Sequence, residues 1–117
     1  MSVHIYAHGQ RPRLYEAGEF VFSIGDVADE MYVVIDGQVE LLFHGKVTET
    51  VEAGNLFGEM AMFENLPRVA TALVKSAAKL VSVSRERFAF LEQQHPDLAL
   101  RLVSIITDRL RRMDESR

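Results

Sequence analysis

The hydrophobic period of this chain changes once, at Ser84, and that change limits what the chain can fold into. Before it, short apolar runs are punctuated by Gly18, Gly25, Gly37, Gly45, Gly54 and Gly58, as strands joined by tight turns would be. Residues 46–52, Lys-Val-Thr-Glu-Thr-Val-Glu, alternate polar and apolar with a period of two, the pattern of a half-buried strand. Residues 19–23, 69–74 and 80–83 read as further strands. Asp36-Gly37 lies between apolar, β-rich flanks and predicts a hairpin, and His44-Gly45 predicts a second turn. After Ser84, itself a suitable N-cap, Phe88 and Leu91 share one helical face until His95-Pro96 interrupts it. Pro96 suits the first position of a second helix and Asp97 its first turn, while Leu98, Leu102, Ile105, Ile106, Leu110 and Met113 form an apolar stripe. The reading is a mainly β fold, a barrel followed by two C-terminal helices.

A chain of 117 residues makes one domain. It divides into a loose lead-in (1–13), a β-barrel (14–83) and C-terminal helices (84–113). With no cysteine, disulfides, thiolate metal sites and iron–sulfur clusters are excluded. A net charge of −4 argues against generic DNA binding, which is dominated by phosphate neutralisation. Arg101, Arg109, Arg111, Arg112 and Arg117 crowd the C-terminus with Asp97, Asp108, Asp114 and Glu115 among them, and read as a solvated helix face. No secretory signal or membrane-length apolar run is evident, so a cytoplasmic protein with no membrane contact of its own is expected.

Residues 57–71, Phe-Gly-Glu-Met-Ala-Met-Phe-Glu-Asn-Leu-Pro-Arg-Val-Ala-Thr, carry the chemistry. Gly58 permits close backbone approach, and a helical turn after it would present free N–H groups suited to an anion. Arg68 would add a planar, permanently charged fork for two phosphate oxygens. Glu59 would be repelled by a phosphate and therefore needs another part of the ligand; a ribose 2′-hydroxyl would satisfy it. On spacing alone, an ordinary surface ion pair of Glu59 and Arg68, worth about 0–1 kcal/mol, with Gly58 as a turn residue, accounts for the same residues.

The segment resembles the phosphate-binding cassette of the cyclic nucleotide-binding domain family, F-G-E-hydrophobic-A followed after a short link by P-R-x-A-T. Phe57, Gly58, Glu59, Ala61, Pro67, Arg68, Ala70 and Thr71 match in order. The resemblance extends over about residues 15 to 113, through the glycine framework and a central hairpin at residues 31–35 and 38–41. It implies a β-barrel of jelly-roll (double-stranded β-helix) type with a short phosphate-binding helix and two C-terminal helices. By the same resemblance Glu59 contacts the ribose and Arg68 the cyclic phosphate, with the backbone of Gly58, Met60 and Ala61 supporting the phosphate. Val69, which offers no hydroxyl, favours cyclic AMP over cyclic GMP, and Met113 would cover the purine by packing alone. In DNA-binding relatives a helix-turn-helix follows at about residue 113; the four residues beyond it here carry none, so direct DNA binding is not expected. Dimerisation through the second C-terminal helix is compatible with its stripe.

An enzyme is not expected. His4, His8, His44 and His95 are scattered, and no nucleophile stands beside a base. No cofactor is implied; the ligand is cyclic AMP, with cyclic GMP the alternative. Two functions follow: a sensor domain that moves its C-terminal helices for a downstream protein not named by the sequence, or an interaction module with a non-functional pocket acting through its apolar helix.

Overall fold

The structure is a computed structural model that describes residues 3–115. Two strands of 14 residues each, β3 (Glu30–Phe43) and β6 (Thr71–Ser84), pair antiparallel from Glu30↔Ser84 to Leu42↔Thr71 and form its spine. Around them lie β1 (Arg13–Tyr15) and β2 (Phe20–Phe22), both on β6, and β4 (Lys46–Glu52) and β5 (Leu56–Phe57), both on β3. Two helices follow, α1 (Arg85–Gln94) and α2 (Asp97–Glu115). Short 3-10 turns occupy Val3–Tyr6 and Glu59–Met62.

The sheet is open, which corrects the expected closed barrel or jelly roll. Its path runs β1-β6-β3-β4, and among the described residues no pairing joins β4 back to β1. Closure needs hydrogen bonds between the two edges. Glycine spacing reports where a chain turns, not whether its edge strands meet.

Asp36-Gly37 is likewise not a hairpin. It lies inside β3, where the register against β6 shifts on both sides of Asp36. Before this bulge Val34 points into the core enclosed by the sheet, while Met31 and Val33 face the helices. Beyond it Val39 and Leu41 share the side of Val34, although strict alternation would turn odd-numbered positions the other way. Gly37 has φ of 88°, and a Cβ there would lie 2.3 Å from the Ala77 carbonyl oxygen and 2.6 Å from Ala78 Cα. Glycine is therefore required by the partner strand and not by a chain reversal. His44 (φ 52°) and Gly45 (φ 78°) do form the expected two-residue turn between β3 and β4.

The helices pack on the outer side of the sheet. Ser84 caps α1, its Oγ accepting from Arg87 N–H at 3.2 Å. Pro96 stands one residue before α2, whose Leu98 and Leu102 join Met31, Val33, Leu56 and Val83 in a second apolar cluster. The lead-in is anchored to this layer: Tyr6 is buried and stacks on Phe88 with ring centroids 6.1 Å apart. Arg87 donates to the carbonyls of Tyr6 (3.4 Å) and His8 (2.7 Å).

Candidate functional site

Gly58 turns the chain from β5 into the 3-10 turn Glu59–Met62 with φ of 76°, a conformation that penalises any side chain. The first bond of the turn runs from Ala61 N–H to the Gly58 carbonyl at 3.3 Å, and the amides of Glu59 and Met60 precede it as the orphan donors of a helix start do. A Cβ on Gly58 would lie 3.0 Å from Arg68 Nη1, so the turn and the arginine are in close register.

Arg68 is 7% exposed and built into the wall behind this turn. Its Nη1 donates to the Gly58 carbonyl at 3.0 Å, its Nη2 to the Glu30 carbonyl at 2.5 Å, and its guanidinium lies 3.9 Å over the Phe22 ring. Its Nε is buried and meets no acceptor among the described residues. Burial pushes the guanidinium below its ordinary pKa, with Tyr32 and the nearby carboxylates opposing, yet an arginine so placed remains charged. A fixed cation with an unspent N–H suits an anion of defined shape.

Glu59 is also buried, at 4% exposure, but it pairs with Arg109 of α2 and not with Arg68. An ordinary surface ion pair of Glu59 and Arg68 is thereby ruled out. Arg109 Nε and Nη2 grip both carboxylate oxygens of Glu49 on β4, at 2.9 and 3.1 Å, while Nη1 holds Glu59 and Nη2 also reaches the Leu56 carbonyl. Arg112 adds a 2.6 Å contact to Glu49. Burial alone would raise the Glu49 pKa; the hydrogen bonds and charges of Arg109 and Arg112 outweigh it and hold the carboxyl below its ordinary value.

Arg109 was read from the sequence as part of a solvated face, and the structure buries it. The available signal was position: Leu98, Leu102, Ile105 and Arg109 continue one stripe at spacings of four and three. An arginine at an apolar position of a helix is a candidate for a buried partner.

The cavity between turn and helix has an empty volume of about 580 Å³ including its open mouth. Of the residues proposed from sequence, Gly58, Glu59, Met60, Ala61, Pro67, Arg68, Val69, Ala70 and Met113 line it. Phe57 and Thr71 do not line it. Phe57 is fully buried beneath it, 5.3 Å from Tyr32 and 5.9 Å from Phe22 between ring centroids. The Thr71 hydroxyl accepts from Ile24 N–H at 3.0 Å, fixing the β2 end. Phe22, Ala28, Leu41, Leu66 and Leu110 add apolar walls, and Glu64 and Arg109 also line it.

Residues 12–95 match the family described as cyclic nucleotide-binding domain. The chain belongs to that family. Its relatives include a cyclic nucleotide-gated potassium channel of Rhizobium etli, 34% identical over 76% of this chain and 25% of the channel. They also include the cyclic AMP receptor protein of Thermus thermophilus, 30% identical over 87% of this chain and 50% of the receptor. The crystal structure of the Thermus thermophilus catabolite activator protein superposes with a TM-score of 0.79 at 30% identity, covering 91% of this chain and 52% of that one. The chain thus spans half or less of the length of these curated relatives. It is a cyclic nucleotide-binding regulatory domain. The family match ends at residue 95, before α2. No helix among the described residues is long and apolar enough to cross a membrane.

Proposed function

We propose that this domain is a cyclic AMP sensor, with cyclic GMP the alternative ligand, and that its cavity holds the nucleotide in one orientation. The phosphate sits on the amides of the Gly58–Ala61 turn and on Arg68, the ribose at Glu59, and the base against Val69 and Met113. The observation that carries this reading is Arg68, a buried guanidinium with an unspent Nε–H beside the start of a helical turn. Val69 and Met113 offer no hydroxyl, so the purine is held by apolar contact. Pro67 and Ala70 shape the wall on either side of the clamp, and Phe57 and Thr71 act from behind it.

Glu59 cannot serve a ribose without sharing its carboxylate with Arg109, and Leu110 and Met113 of α2 close the same cavity. Nucleotide therefore acts on α2, shifting it to the extent that its affinity differs between the two positions of the helix. Ala99, Val103, Ile106, Leu110 and Met113 repeat at four and three residues on a flank of α2 that leaves Val103 and Leu110 about half exposed. That spacing supports a homodimer seam, adjoining the pocket through Leu110 and Met113. The downstream partner is a further part of the parent protein or a separate cytoplasmic protein.

Calorimetric titration with cyclic AMP and cyclic GMP side by side, after removal of any co-purified ligand, tests the reading. Saturable binding of one nucleotide, lost in Arg68→Ala, is expected. Absence of heat with both would return the domain to an interaction module working through α2.

A further inference from the structure

The first residue of α1, Arg85, makes a set of contacts that the nucleotide reading does not use. Its Nε donates to the Ala61 carbonyl at 2.6 Å, its Nη1 to Asn65 Oδ1 at 3.2 Å, and its Nη2 to the carbonyls of Glu64 (3.0 Å) and Ala28 (2.8 Å). Ala61 stands in the last residues of the 3-10 turn and Glu64 just beyond it, where carbonyls lack partners within the turn. One guanidinium thus closes the rear of the turn whose front faces Arg68.

The segment between β2 and β3 ties the two arginines together. Arg68 N–H donates to the Asp26 carbonyl and Gly25 N–H to the Arg68 carbonyl, both at 2.8 Å, while Arg85 holds Ala28 two residues further on. Phe88, three residues after Arg85 and so on the same face of α1, meets Phe63 edge-on with centroids 5.7 Å apart. A polar and an apolar contact therefore fix the end of the turn to α1.

We propose that Arg85 is the positioning residue of the phosphate turn and the tie through which occupancy of that turn is felt by α1. Its role in setting the turn stands on the contacts above; its role in signalling rests on the nucleotide reading. Lysine keeps the charge at this position but, as a single point donor, cannot span the Ala28, Ala61 and Glu64–Asn65 segments together.

Amide hydrogen exchange on the full chain separates the two roles. Without ligand, Arg85→Lys is expected to speed exchange of Phe63 and Glu64, whose amides bond to the Met60 carbonyl at 3.0 Å, while Val39 and Val74 amides in the sheet keep their rates. The acceleration is about tenfold, the equivalent of one lost net hydrogen bond. Asn65→Ala, which removes only one acceptor, gives a smaller change in the same amides and serves if Arg85→Lys fails to fold. Saturating cyclic AMP should then alter exchange in both the turn and α1 of the wild type, but in the turn alone of Arg85→Lys. Wild-type rates at Phe63 and Glu64 in both variants would overturn the positioning role. An α1 response equal in wild type and Arg85→Lys would overturn the tie. Failure of the wild type to bind cyclic AMP would remove the nucleotide reading and with it the signalling role, leaving the ligand-free comparison to decide positioning.

Discussion

The two walls of the cavity are held by different physics. At the wall behind the Gly58 turn, Arg68 is fixed by the carbonyls of Gly58 and Glu30 and by the face of Phe22, none of which changes charge with pH. At the α2 wall, Arg109 and Arg112 are held mainly by the carboxylates of Glu49 and Glu59, with one backbone carbonyl, that of Leu56. Backbone carbonyls in a sheet and tight turn move only if the fold moves, whereas carboxylate pairs can exchange partners with a ligand or with water. The first wall is rigid with the fold, and the second can exchange its partners.

The largest effect that would break this contrast is on Arg109. Arg109→Ala leaves Glu59 buried without its cation and should destabilise the docked α2 by about 3–5 kcal/mol. Thermal unfolding and α2 amide exchange measure this, and an unchanged midpoint would mean that apolar packing alone holds the helix. Next is Arg68→Ala, which should weaken cyclic AMP binding by about 1.5–3 kcal/mol in a calorimetric titration. Because Arg68 also satisfies two carbonyls of the fold, the thermal midpoint should fall with it. Equal titrations for wild type and variant would remove Arg68 as the clamp.

Gly58→Ala sharpens the comparison from the backbone side. It places a Cβ at φ 76°, 3.0 Å from Arg68 Nη1 and 3.3 Å from Phe22 Cε2, and should cost about 1–2 kcal/mol of stability while lowering affinity. Chemical denaturation checks the first effect and titration the second. The smallest effect is on Glu49, whose carboxyl is held below the ordinary 4.5. A depressed carboxylate contributes stability that is fully present above the unfolded value and lost as pH falls through the folded one. Exchange of α2 amides should therefore accelerate as pH falls below about 4.5, and Glu49→Gln should abolish that pH dependence. Persistence of the dependence in Glu49→Gln would remove Glu49 as its source.

What could be read from residues depended on whether the deciding interaction was local. Ser84 as a cap, the His44-Gly45 turn and the strand at residues 46–52 all reappear in the structure, because capping, tight turns and alternation are settled within a few residues. Gly37 shows the opposite case. Asp-Gly between apolar flanks suits both a hairpin and a bulge, and only the Ala77–Ala78 backbone across the sheet selects the bulge. Arg109 was misplaced on a solvated face for the same reason: its partners Glu49 and Glu59 lie 60 and 50 positions away in the chain.

By itself, then, the sequence determined the switch from strands to helices at Ser84, the glycine-led turn at residue 58 and the charged residues, Glu59 and Arg68, placed around it. These rest on backbone conformations and side-chain charges that each residue carries with it. Tertiary structure alone decided that the sheet stays open, that Asp36-Gly37 bends a strand without reversing it, and that Glu59 pairs with Arg109. Those outcomes depend on which distant groups are brought within hydrogen-bonding distance, and a carboxylate buried by folding must take whichever cation the packing supplies.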